Sequence, residues 1–189
     1  KQKTAHYPHS THMYDLCDRY GIVVWAEIPI VDTTNDTPAF TANARFQLEE
    51  MVRQHQNHPS IVMWSLSNEL GNGKKPKGSE ALMKELYLKT KELDASRFCV
   101  LAASSMRSEN ETADLLGFNT YPGWYGGKPA DMAAKIKSWC GKYPGKLICV
   151  SEYGAGASLK HQEFPLKQPT PTGKWHPEGW QAHCHEEHY

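Results

Sequence analysis

Two glutamates stand at the ends of two similar apolar runs. Ile61-Val62-Met63-Trp64 leads through Ser65-Leu66-Ser67 to Asn68-Glu69, and Leu147-Ile148-Cys149-Val150 leads to Ser151-Glu152, 83 residues later. Runs this rich in β-branched residues read as strands buried on both faces. A carboxylate just after such a strand stands where α/β barrels keep their chemistry. Two of them facing one small volume suit the cleavage of a glycosidic bond, one protonating the leaving oxygen while the other attacks or activates water. Either glutamate alone also fits a solvated residue capping the next helix, and the pattern leaves these readings level. Asn68 adds an amide donor beside Glu69, suited to a sugar hydroxyl.

The elements that must position them alternate strand and helix, the signature of a parallel α/β domain. Residues 10–20 read as a helix capped by Ser10 and ended by Gly21, followed by a strand from Ile22 to Glu27. A helix over 41–56, capped by Thr41, precedes the strand Ser60–Leu66. Gly71 to Gly78 reads as a mobile loop, and a helix over 79–94 follows. Phe98–Ala102 and Leu115–Asn119 are further strands, Pro129 opens a helix, and Leu147–Ser151 is the last clear strand. Ala155 to Pro177 reads as a long loop over the site, with a helix beginning near residue 178.

Composition narrows the function classes. The 189 residues carry 21 basic and 21 acidic side chains, so no basic surface for nucleic acid and no membrane patch is expected. No apolar stretch approaches the roughly 20 residues of a spanning helix. The five cysteines have no CxxC spacing and read as free thiols. His183-Cys184-His185-Glu186-Glu187-His188 matches neither helical zinc pattern and reads as a polar helix face, so no metal site and no bound cofactor is expected. The chain opens on Lys1-Gln2-Lys3 without a methionine, which reads as an internal cut and leaves a cytoplasmic or periplasmic location open.

The runs TAHYPHS, MYDLCDRYGIVVWAE, NHPSIVMWSLSNE, NTYPGWY and SEYGA, in this order, resemble the barrel domain of glycoside hydrolase family 2, which includes β-galactosidases and β-glucuronidases. The resemblance covers nearly the whole chain. It implies one partial domain over 1–189: a truncated (β/α)8 TIM barrel holding about strands three to seven and the end of strand two. It also implies a retaining glycosidase acting on a glycoside substrate, with Glu69 as acid/base and Glu152 as nucleophile. By the same resemblance Asn68 bonds the sugar 2-hydroxyl, His6 touches sugar hydroxyls and Tyr121 hydrogen-bonds the nucleophile. Trp124, Tyr125 and Trp175 lie in loops, where exposed aromatics suit stacking on a sugar face, and each equally fits an anchor for its loop.

The departures from the family pattern bear on the substrate. Galactosidases of the best-known type carry a histidine soon after the EY pair, where Gly154-Ala155-Gly156 stands here. Their magnesium-binding E-T-H-G segment is replaced by Ile28 to Thr34, so magnesium is not expected. Glucuronidases carry Asn-x-Lys downstream of the nucleophile, and the triplet Asn72-Gly73-Lys74 follows Glu69 instead. The resulting expectation is a β-galactosidase, with β-glucuronidase or β-mannosidase as the alternative and a non-catalytic sugar-binding barrel as the rival from another class. A truncated barrel exposes two strand edges, so self-association through them and an inactive isolated chain are expected.

Overall fold

The computed structural model describes residues 2–72 and 76–189. Gly73, Lys74 and Lys75, on which the mobile-loop and Asn-x-Lys readings partly fall, lie outside the described residues. The element order is β1 (Gln2–Thr4), α1 (Thr11–Tyr20), β2 (Val24–Glu27), α2 (Pro38–His55), β3 (Ile61–Asn68), α3 (Ser79–Leu93), β4 (Phe98–Ala103), β5 (Leu115–Asn119), α4 (Met132–Lys142), β6 (Leu147–Glu152) and α5 (Glu178–His188). Short 3₁₀ turns at Ser108–Thr112 and Pro129–Asp131 precede β5 and α4.

The strands form one sheet in chain order, and the successive pairs from β1 to β5 are parallel. In-order parallel pairing with helices on the crossovers is the arrangement of a (β/α)8 barrel, of which this sheet is a part; between β4 and β5 only the short 3₁₀ turn Ser108–Thr112 stands in place of a helix. The expected five strands are present, and β1 is the end of the strand that the sequence places before His6. Packing divides the chain into two compact units. One comprises residues 1–118 with Lys146–Cys149, and the other Asn119–Gly145 with Val150–Tyr189.

In the first unit the period of two along each strand sorts the side chains. Trp25, Val100 and Ala102 form one buried cluster, with Met63, Leu115 and Cys149 packed against it. The helices cover the sheet through Leu48, Met51 and Val52 of α2 and Leu82, Met83 and Leu86 of α3, all buried. Each such side chain contributes about 1.5–3 kcal/mol by leaving water.

Local chemistry moves three boundaries from their expected places. Helix α2 starts at Pro38 rather than Thr41, because Pro38 suits a first helical turn and the Thr37 hydroxyl accepts from Phe40 N at 3.3 Å. Strand β2 starts at Val24 rather than Ile22, because Gly21 at φ 66° ends α1 and Ile22 N–H bonds back to Cys17 O. Strand β3 runs to Asn68 rather than Leu66, held by its neighbours on both sides.

Candidate functional site

Asn68 is the last residue of β3 and is buried. Its N–H donates to Ile30 O at 2.9 Å, and its carbonyl accepts from Asp32 N at 3.0 Å. The segment standing where the galactosidases keep E-T-H-G thus acts as a strand extension that fixes β3. Pairing with β4 shifts register between Ser65 and Asn68, an irregularity that re-aims side chains at a strand end. Glu69 then turns into the left-handed region at φ 52°, with its N–H on Ala102 O at 2.9 Å. A non-glycine residue in that conformation costs about 1–2 kcal/mol. Asn72 donates from its side-chain amide to Glu69 Oε2 at 3.2 Å. Gly71 between them sits at φ 82°, a conformation that favours glycine, and a Cβ there would push the Arg107 guanidinium aside.

A third strand-end carboxylate belongs to the same unit, and sequence reasoning gave it no role. Glu27 closes β2 and is fully buried. It receives His6 Nδ1 at 2.9 Å on one oxygen, and Ser65 Oγ at 2.8 Å and Trp25 Nε1 at 3.3 Å on the other. A carboxylate partner holds the imidazole proton on Nδ1 and fixes the ring plane. The signal was available, since Trp25-Ala26-Glu27 ends an apolar run as Glu69 and Glu152 do.

In the second unit Glu152 ends β6 and is half-buried. Its carbonyl accepts from Thr120 N at 2.9 Å, and one carboxylate oxygen accepts from Tyr121 Oη at 2.5 Å. Ser151 Oγ donates to Asn119 Oδ1 at 2.7 Å, a second link between the β6 end and the residues after β5. A phenol donating to a carboxylate stabilises its ionised form, which is the form a nucleophile needs.

The loop aromatics divide. Trp124 is only 8% exposed, packed edge-on to His176 at 5.0 Å, with Gly156 directly against its ring. This corrects the expectation of an exposed stacking surface: Trp124 anchors the loop, because a ring that large gains more by burial than by standing in water. Trp175 is half exposed and stacked on His161 at 4.3 Å. Tyr125 is 72% exposed, edge-on to Tyr121.

Among the described residues, one group of three potential metal ligands comes together, Asp15, Asp18 and His58. There Asp18 accepts from His58 Nδ1 at 2.6 Å and Ser60 N at 2.8 Å, a clamp on the turn before β3. The His183–His188 run forms the end of α5, with Cys184 buried. No described helix is long and apolar enough to cross a membrane.

Parallel strands ended by buried or half-buried acids define an α/β-barrel domain of the kind that carries its chemistry beyond the strand C-termini. The sequence pattern of the TIM barrel domain of the glycosyl hydrolases family 2 matches residues 1–165, and the chain belongs to that family. A beta-glucuronidase of Bacteroides fragilis is 42% identical over 99% of this chain and 28% of its own length. A Bacteroides fragilis protein of known structure, provisionally called a beta-galactosidase, is 36% identical, with a TM-score of 0.85 over 98% of this chain and 28% of that one. Bacteroides uniformis beta-glucuronidase 2, solved covalently bound to cyclophellitol-6-carboxylate aziridine, is 31% identical, with a TM-score of 0.82 over 98% of this chain and 24% of that one. The chain thus spans about a quarter of the length of these relatives.

Proposed function

We propose that this chain is the catalytic part of a retaining β-glycosidase. The observation that carries the reading is the 2.5 Å hydrogen bond from Tyr121 to Glu152. In the first step a Glu152 oxygen attacks the anomeric carbon, the glycosidic C–O bond breaks, and Glu69 gives its proton to the leaving oxygen. In the second, Glu69 takes a proton from water, and that water displaces Glu152 from the sugar. Asn68 holds the 2-hydroxyl, a contact that strengthens toward the transition state. His6, oriented by Glu27, and the exposed ring of Trp175 contact the sugar and its leaving group.

The substrate reading moves from β-galactoside to β-glucuronide. Relatives bearing the glucuronidase name support it, including one bound covalently by a carboxylate-bearing aziridine. The galactoside expectation leaned on the lack of Asn-x-Lys after Glu152, which bears only on the stretch from Tyr153 to Tyr189. The name of the Bacteroides fragilis structure keeps the galactoside reading as second.

Incubation of the whole protein that carries this chain with cyclophellitol-6-carboxylate aziridine, followed by peptide mapping, tests both parts. The expected result is a single adduct on Glu152, together with faster turnover of nitrophenyl glucuronide than of nitrophenyl galactoside. An adduct on Glu69 overturns the roles, and faster galactoside turnover overturns the substrate.

A further inference from the structure

Helix α5 lies in the second unit and has no role in the chemistry described so far. Trp180, Cys184 and His188 recur at four-residue spacing and so share one stripe. An apolar stripe would serve packing alone, yet two of these three residues end in ring N–H donors. Trp180 Nε1 donates to Gly123 O at 3.0 Å, and His188 Nε2 lies 3.1 Å from Pro122 O. A carbonyl can only accept, so His188 carries its proton on Nε2 in this contact.

The two carbonyls are consecutive and belong to the turn that begins with Tyr121. Inside that turn Trp124 N and Tyr125 N both bond to Tyr121 O, and Gly123 N bonds to Gly126 O. Pro122 and Gly123 are buried, so their carbonyls need partners from the protein. The far side of the turn is wedged as well. Gly123 sits at φ 83°, and a Cβ there would lie 2.5 Å from the Pro129 ring.

We propose that α5 is a positioning element for the nucleophile, with Trp180 and His188 clasping the Pro122–Gly123 turn so that the Tyr121 hydroxyl stays on Glu152. Trp180 and His188 touch no reacting atom in this scheme and act through Tyr121. The inference rests on Glu152 being the nucleophile, and the experiment separates the two.

Trp180→Phe removes one N–H and keeps most of the buried ring. His188→Leu removes the other donor, and His188→Gln offers a replacement. Cys184→Ala is the control, since it loosens the same stripe without touching the turn. Hydrogen exchange at the amides of residues 123–125 reads the clasp without any chemistry. Trp180→Phe and His188→Leu should speed exchange there by roughly threefold to tenfold, the worth of one hydrogen bond, and Cys184→Ala should not. The acidic limb of kcat/KM against pH should move upward in Trp180→Phe, return toward wild type in His188→Gln relative to His188→Leu, and stay in place in Cys184→Ala. In a Tyr121→Phe background, Trp180→Phe should add nothing to the limb's shift. Unchanged exchange in Trp180→Phe, or a limb shift that adds fully to that of Tyr121→Phe, overturns the clasp. Faster exchange with a limb that Tyr121→Phe itself does not move supports the clasp on the turn and overturns the nucleophile reading.

Discussion

The hydroxyl of Tyr121 and the carboxylate of Glu152 meet at 2.5 Å, although 31 residues separate them in the chain. Tyr121→Phe removes the donor and keeps the ring. A hydrogen bond to a charged group is worth about 1.5–3 kcal/mol, so kcat/KM should fall by roughly 10- to 150-fold. Because the lost donor favoured the ionised carboxylate, the acidic limb of the rate profile should move to higher pH. A profile identical to wild type would separate Tyr121 from the reaction.

Glu152 and Glu69 should fail in different ways. Glu152→Gln cannot form the glycosyl ester and should lose about 10⁴-fold or more in kcat. Glu69→Ala keeps the attacking group and lacks the acid/base, so a substrate with a good leaving group should still glycosylate Glu152. Added azide should then accelerate turnover and give a β-glycosyl azide. Azide rescue with retention in Glu152→Ala, and none in Glu69→Ala, would exchange the two roles.

Glu27, fully buried, accepts from His6, Trp25 and Ser65. Glu27→Ala takes the carboxylate acceptor away from the buried Ser65 hydroxyl and from the Trp25 indole N–H. The expected loss is about 2–4 kcal/mol in urea unfolding, with a smaller loss for Glu27→Gln. An unchanged urea midpoint in Glu27→Ala would remove Glu27 from the support of His6.

Acid should destabilise the fold in two windows. Burial pushes the Asp94 carboxyl up, but hydrogen bonds from Ser96, Trp64 and Arg97 outweigh it and hold it well below the usual range. Asp114 is lowered as well, where burial is outweighed by Lys91, Cys99 N and Tyr87. A carboxyl depressed in the fold contributes stability above its unfolded pKa, near 3.9, and loses it as pH falls through the folded value. His55 is lowered by burial and then by His58. Its contribution is complete above the unfolded value near 6.5 and declines as pH drops below it. The melting temperature should therefore begin to fall below about pH 6.5 and fall more steeply below about pH 4. His55→Phe should flatten the first decline, and Asp94→Asn should weaken the second. A melting temperature constant from pH 7 to 5 would contradict the His55 assignment.

What the sequence determined by itself was the alternation of elements and the strand-end positions of the acids. Apolar runs such as Ile61–Trp64 and Leu147–Val150 specify strands locally, although β6 is left half-buried, with Leu147 exposed, where full burial was expected, and Gly21 and Pro38 punctuate helices through their own backbone limits. Glu69 and Glu152 were legible for that reason, since each stands at the end of the strand that its run begins. Partnership was not legible, because hydrogen bonds between distant residues leave no periodicity in the chain. Only the tertiary structure joined His6, Ser65 and Trp25 on Glu27, and Tyr121 to Glu152. It also decided the fate of the loop aromatics. Trp124 and Tyr125 are adjacent in sequence, yet one is buried on His176 and the other stands in water. Burial in a loop depends on what the rest of the fold brings against it, and Gly156 and His176 lie more than thirty residues further along the chain.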